Sequence, residues 1–294
     1  RSDGSVITWG NSSYGGDSTS VSTEINGTIE VTNIAATFFA FAATRSDGSV
    51  VTWGDASHGG DSSGVSSELN GTIGVSSISA TASFFGSSFA AIRTDGSVIT
   101  WGDSSNGGDS SSVSSDLNGS IAITNIVPTN GAFATIRSDG SVITWGDSSY
   151  GGDSSAVSSK LNGTVEVTNI VSTNRAFAAI RSDGSVVTWG NSSYGGDSST
   201  VSSDINGTVN VTSIASTAQA FAAIRADGSV ITWGNSSSGG DSTSVSSDLN
   251  GTIAVTDIFA TDRAFAAIRS DGSVITWGNS SYGGDSTSVS TEIN

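Results

Sequence analysis

The 294-residue chain contains no cysteine and no methionine, a single proline (Pro128) and a single histidine (His58). Without cysteine it has no disulfide framework, no thiol nucleophile and no thiolate metal site. A lone histidine, at a position that other repeats fill with Tyr, Asn or Ser, supplies no triad and no HExxH pair, so catalytic players are missing and a non-enzyme is expected. Cations are also scarce. Only 10 Lys and Arg stand against 27 acidic residues, for a net charge of −17. Seven of the ten are arginines at one repeated position, which leaves no basic stripe for nucleic acid and none for an anionic membrane surface. No apolar run approaches the roughly 18 residues of a membrane-spanning helix, so no membrane insertion is expected.

What is present is repetition. RSDGSVITWGNSSYGGDSTSVSTEIN opens the chain at Arg1 and returns unchanged at Arg269, and near-copies begin at Arg45, Arg93, Arg137, Arg181 and Arg225. The spacing is 44 residues throughout except for 48 in the second copy, which carries the one insertion. A fixed period in this range marks a solenoid, a propeller or an array, so residues 1–294 read as a single repeat domain, with units starting at 1, 45, 93, 137, 181, 225 and 269 and the last one partial. Because the sequence starts and stops within a repeat, the expectation is a section of a longer repeat protein, with any targeting signal outside it.

Residues 164–207 serve as the type copy. Thr164 to Ile170 alternates, with Val165 and Val167 on one face, and predicts a half-buried strand. Ala176 to Ile180 predicts a short, crowded strand, and Ser185 to Trp189, β-branched and aromatic, a third. Asp183-Gly184 between the last two is a hairpin signal, both residues tolerating positive φ. The polar stretch after Gly190 admits either a fourth outer strand or a helical turn. No segment carries a helical apolar stripe. The chain is therefore all-β, with three or four strands per unit. Three strands cannot bury their apolar faces alone and must stack on their neighbours.

The string A-F-A-A-I-R-x-D-G-S-V-x-T-W-G-[ND]-S-S-x-G-G resembles the repeat of the regulator of chromosome condensation family of β-propellers, and its D-G-S-V-x-T-W-G part recurs in all seven copies. The resemblance implies a β-propeller of about seven blades, or six, since only six connecting halves carry the other two strands. An open superhelical β-repeat array is the alternative. The units are compact, closer to bacterial inhibitory and surface relatives. Where the family places Gln and a Leu-Gly pair, this chain has Gly196-Asp197-Ser198, and no residue carries over the nucleotide-exchange or chromatin functions of particular members.

Several residue sets invite a functional reading beside a structural one. Asp3, Asp47, Asp95, Asp139, Asp183, Asp227 and Asp271 read as turn residues rather than a ring of acids. Asp17, Asp61, Asp109, Asp153, Asp197, Asp241 and Asp285 follow a Gly-Gly pair. They are calcium candidates, but one carboxylate per unit falls short of the six to eight oxygens that calcium takes, and loop anchoring is the plainer reading. No other cofactor is expected. The seven tryptophans, Trp9 to Trp277, read as packing residues before they read as a sugar-stacking platform. Asn-x-Ser/Thr sequons, among them Asn26, Asn70, Asn118, Asn162, Asn206 and Asn250, matter only in a glycosylating context.

The copies differ mainly between the first and second strands of each unit: Ala35 to Ala40, Ser79 to Ser88, Val127 to Gly131, Val171 to Arg175, Ala215 to Gln219 and Phe259 to Arg263. In a propeller these loops gather on one rim, a natural binding face. The rim candidates are Phe38, Phe39, Phe84, Phe85, Asn130, Arg175, Gln219 and Arg263. The function expected is a non-catalytic scaffold at the cell surface or outside the cell, a section of a long bacterial surface, adhesive or fibre-forming protein. The alternative is a discrete binding propeller, inhibitor-like or lectin-like, that uses the rim. Partners would be a protein or glycan surface, or further copies through continuation of the repeat.

Overall fold

In a computed structural model, residues 1–289 are described. They hold six three-stranded antiparallel sheets, each running first, second, third strand in sequence order. The sheets are β1 (Val31–Ala36), β2 (Ala40–Arg45) and β3 (Val50–Gly54); β4 (Val75–Ala80), β5 (Ser88–Arg93) and β6 (Val98–Gly102); β7 (Ile123–Pro128), β8 (Ala132–Arg137) and β9 (Val142–Gly146); β10 (Val167–Ser172), β11 (Ala176–Arg181) and β12 (Val186–Gly190); β13 (Val211–Ser216), β14 (Ala220–Arg225) and β15 (Val230–Gly234); β16 (Val255–Ala260), β17 (Ala264–Arg269) and β18 (Val274–Gly278). The protein is all-β and of the propeller kind, with six blades rather than seven. Residues 5–10 of the first copy, the counterpart of the third strand in the later copies, form no strand. By internal contacts the chain divides into two compact units, Arg1–Asp153 and the residues from Ser154 on. Each unit carries three blades, and the boundary falls inside the fourth copy rather than at a change of composition.

The strand pattern follows from which faces are covered. In β11 the side chains of Ala176 to Ile180 are all buried. Its alternation separates large from small. Ala176, Ala178 and Ile180 pack against Phe221, Ala223 and Trp233 of the following blade. The same arrangement joins Ala40, Ala42 and Val50 to Phe89, Ala91 and Trp101. The core therefore lies between blades, with the aromatic layer of one seated on the alanine layer of the one before. Alanine is what leaves room for the rings.

Each Phe is also the cross-strand partner of the Trp in its own blade, as in Phe177↔Trp189, and in all six blades the two rings stack with centroids 5.1–5.3 Å apart. Such pairs add about 0.5–1.5 kcal/mol beyond the area they bury. The tryptophans of the six blades are 2–4% exposed, which bears out the packing reading. Trp9, in the strandless first copy, is 84% exposed.

Two local expectations are corrected. The first strand of the type copy begins at Val167, three residues later than the alternation suggested, and Val165 is only half-buried ahead of it. Val167 and Ile170 are both buried although three residues apart, because a bulge between Val167 and Asn169 leaves Thr168 and Asn169 both facing outward. The Asp-Gly hairpins are also not of the two-residue type. Only the glycine takes positive φ, +76° at Gly184, and Arg181 N–H bonds to Ser185 across three loop residues. The aspartate is thereby freed for another task. Asp183 Oδ1 accepts from Ser185 N–H at 3.0 Å, and the Ser185 hydroxyl in turn accepts from Arg181 Nε at 2.8 Å.

The polar stretch after each third strand forms two short helical turns rather than a full fourth strand; they are 3₁₀ turns such as Ser192–Tyr194 and Ser199–Val201, except that Ser104–Gly108 is a π turn. It is tied back at one rung, where Val186 N–H donates to Ile205 O at 2.9 Å.

Candidate binding site

The variable loops are held by a residue that does not vary. Thr37, Thr81, Thr129, Thr173, Thr217 and Thr261 each stand at the start of the loop. The Thr129 hydroxyl accepts from Ala132 N–H at 3.0 Å and donates to Tyr150 O at 2.9 Å. Thr37, Thr173, Thr217 and Thr261 make the same pair of bonds. Five loops are thus pinned by the threonine both to their own strand and to the 3₁₀ turn that follows the blade. In the loop with the insertion Thr81 accepts from Ser88 N–H at 2.8 Å, and Ser88 Oγ makes the bond to the following turn, donating to Asn106 O at 2.6 Å. A constant Thr inside otherwise divergent segments was visible in the aligned copies and is a signal that sequence reasoning missed.

On this frame the residue before the second strand lies against the side chain of the 3₁₀ turn. Phe39 meets His58 with ring centroids 4.3 Å apart. The Arg175 guanidinium sits over the Tyr194 ring at 5.2 Å, and that of Arg263 over Tyr282 at 5.4 Å. At Gly131 the Tyr150 ring occupies the space, and a Cβ there would lie 3.1 Å from it.

In the first unit this layer grows into an aromatic cluster. Phe38 stacks on Phe84 at 4.4 Å, Phe39 meets the edge of Phe84 at 6.0 Å, and Tyr14 packs on Phe39 at 4.6 Å. Rings of this size are ordinarily buried, yet Phe38 is 43%, Phe84 68% and Phe85 95% exposed. Hydrogen bonds within the insertion keep Phe84 and Phe85 at the surface. Ser83 N–H donates to Ser87 Oγ at 3.1 Å, Ser87 Oγ donates to Ser83 O at 2.9 Å, and Phe85 N–H donates to Ser83 Oγ at 3.2 Å. Both serines are buried. The four phenylalanines predicted for the rim therefore converge on two adjacent loops. Asn130, Arg175 and Gln219, half-buried, and Arg263, exposed, stand at the corresponding loops of other blades.

Carboxylates border the cluster. Asp55 accepts from His58 Nδ1 at 3.0 Å, beneath Phe39. Hydrogen bonds from the Ser57 hydroxyl first, and then from His58, hold its pKa below the ordinary carboxylate value. Asp103 lies against the insertion, where a Cβ on Gly86 would come 2.6 Å from its carboxyl group. Asp55 caps a 3₁₀ turn and Asp103 the corresponding π turn, the place filled by Asn11, Asn191, Asn235 and Asn279 in other copies.

The calcium candidates occupy a different surface. Asp17, Asp61, Asp109, Asp197, Asp241 and Asp285 each accept from the backbone N–H two residues on, at 2.8–2.9 Å, and this bond lowers their pKa values. Asp153 stands at the same place in its copy. Among the described residues no three acidic or histidine side chains are gathered closely enough to hold a metal ion.

No protein-family profile matches the chain, and no curated protein matches it. Solved structures do. Human WBSCR16 aligns over 85% of this chain and 77% of its own, at 14% identity and a TM-score of 0.50. The ectodomain of the moss Physcomitrella patens receptor kinase CR4 aligns over 85% of this chain at 13% identity and a TM-score of 0.48, and the chain spans 62% of its length. Yeast RCC1 (Prp20), in its complex with Kap60, aligns over 85% of this chain and 70% of its own at 16% identity, with a TM-score of 0.47. At these identities the likeness is one of fold.

Proposed function

We propose that the protein is a non-catalytic binding scaffold in which near-identical blades form the frame and the loops between first and second strands carry the partner contacts. The supporting observation is the exposed, mutually stacked Phe38, Phe39 and Phe84 with Phe85 beside them, on the segment where the copies diverge most. Aromatic side chains dominate binding hot spots because they combine large apolar area with few rotatable bonds. In its fuller form the proposal is an extracellular section of a long bacterial surface protein of the compact regulator-of-chromosome-condensation type. It needs no cofactor. The test is surface binding by the fluorescently labelled chain, on bacterial cells and on immobilised protein and glycan arrays. Phe84→Ser/Phe85→Ser should abolish binding, and unchanged binding overturns the proposal.

Self-association through continuation of the repeat is a second reading. It is favoured by the recess of about 220 Å³ beside Trp9, lined by Val6, Ile7, Gly15, Ile34, Phe41 and Trp53. A Trp9→Ser variant that sediments like the parent chain at every concentration would remove it.

A further inference from the structure

We infer that the aromatic cluster of the first unit takes a protein segment that is basic as well as apolar, with apolar side chains seated on Phe38, Phe84 and Phe85 and cationic side chains reaching Asp55 and Asp103. The inference rests on the binding-scaffold reading and adds the chemistry of the partner. Charge carries it. The first unit has four cations against fifteen acidic residues, a net charge of −11, and its cations are Arg1, Arg45, Arg93 and Arg137 at the repeat-opening turns. None lies in its variable loops, whereas the loops of the second unit contain Arg175 and Arg263. In the first unit the cap beside each of the three loops is also a carboxylate, Asp55, Asp103 or Asp147, where the first copy has Asn11. The Asp55 side chain is 41% exposed. Phenylalanine faces attract cations through their quadrupole, and a bordering carboxylate strengthens the preference for lysine or arginine over an acidic or neutral group.

A glycan fits this surface less well. Sugar stacking calls for open ring faces beside free hydrogen-bonding groups. Here Phe38 and Phe84 spend a face on each other, and the hydroxyls of Ser83 and Ser87 are buried and already bonded within the insertion.

The experiment is fluorescence anisotropy with the full chain and three labelled heptapeptides, Lys-Leu-Lys-Phe-Lys-Leu-Lys, Glu-Leu-Glu-Phe-Glu-Leu-Glu and Lys-Ser-Lys-Ser-Lys-Ser-Lys. The first should bind at least about tenfold more tightly than either of the others, the third controlling for simple attraction to an acidic protein. Asp55→Asn/Asp103→Asn should weaken it about three- to tenfold and flatten its dependence on salt. That variant keeps both caps, because asparagine serves there in other copies. Phe84→Ser/Phe85→Ser should bring the first peptide down to the level of the third. Equal binding of the acidic peptide, insensitivity to the asparagine pair, or no binding of the first peptide overturns the inference. If array binding is lost in the phenylalanine variant while the peptides show no charge preference, the scaffold reading stands and the basic partner falls. Selective binding to glycan spots has the same consequence.

Discussion

The indole N–H of Trp101 donates to the carbonyl oxygen of Gly59, 3.1 Å away and 42 residues earlier in the chain. The bond ties the third strand of one blade to the Gly-Gly turn of the copy before it, and it recurs as Trp53–Gly15, Trp145–Gly107, Trp233–Gly195 and Trp277–Gly239. The glycine has a second reason to be glycine. Gly59 has φ +90°, and a Cβ on it would lie 2.6 Å from the Phe89 ring. The Gly-Gly-Asp motif thus marks a contact between blades.

Gly59→Ala should therefore cost more than backbone strain alone. Overpacking against a ring that is fully buried adds about 1–3 kcal/mol to the roughly 1 kcal/mol for a non-glycine residue at positive φ. Gly283→Ala provides the control, since Gly283 has φ +97° but nothing within 4 Å of the added Cβ. Urea unfolding of the two variants should show the larger loss at Gly59, and equal losses would mean that the Phe89 contact has no energetic weight.

Trp9 and Trp101 occupy the same repeat position in opposite environments, 84% against 4% exposed. Trp101→Ala removes the Phe89 stack, the bond to Gly59 and a filled volume, and should destabilise by about 3–5 kcal/mol. Trp9→Ala should change unfolding by no more than about 0.5 kcal/mol, as for a surface substitution. Fluorescence quenching by iodide should likewise be reduced by removing Trp9 and not by removing Trp101.

The Asp-Gly turns set the response to acid. In Asp95, as in Asp47, Asp139, Asp183, Asp227 and Asp271, the hydroxyl of the following serine is the main cause of a lowered pKa. A carboxyl group whose pKa is lower folded than unfolded stabilises the fold above its unfolded value, about 3.9, and loses that contribution as pH falls through the folded value. The urea midpoint should accordingly be flat from pH 7 to about 5 and decline below about 4. Ser97→Ala removes the hydroxyl that bonds Asp95 at 2.6 Å. It should lower stability at pH 7 more than at pH 3, and an equal loss at both would show that the Asp95–Ser97 bond does not respond to ionisation.

Much of this was legible in the sequence because the repeat shows every structural choice several times over. The strand set, the packing role of Trp189 and the divergence of the Phe38–Phe39 and Phe84–Phe85 segments could all be read from aligned copies. Other features depend on contacts that a one-dimensional pattern does not encode. The bulge at Val167–Asn169 breaks the period of two for the sake of a second buried residue, Ile170. The stacking of Phe38 on Phe84 joins loops of different blades. Thr37 and its counterparts were legible and were passed over, since a hydroxyl in a variable loop attracts no attention until its two backbone partners are seen.

Phe84 and Phe85 separate binding from folding. Both are more than two-thirds exposed, whereas Phe89, at the start of the next strand, has no exposed surface. Phe84→Ser/Phe85→Ser removes apolar area that water already reaches, so its thermal midpoint should match that of the parent chain within the change expected from about 0.5 kcal/mol. Phe89→Ser empties the layer between two blades and leaves a hydroxyl there, at a cost of about 3–5 kcal/mol. Binding of a hydrophobic dye at neutral pH should drop in the first variant, because the exposed rings form its docking surface, and rise in the second as the core loosens. A large fall in the melting temperature of the Phe84/Phe85 variant would mean that these rings serve the fold, and the surface would then have no claim to a partner.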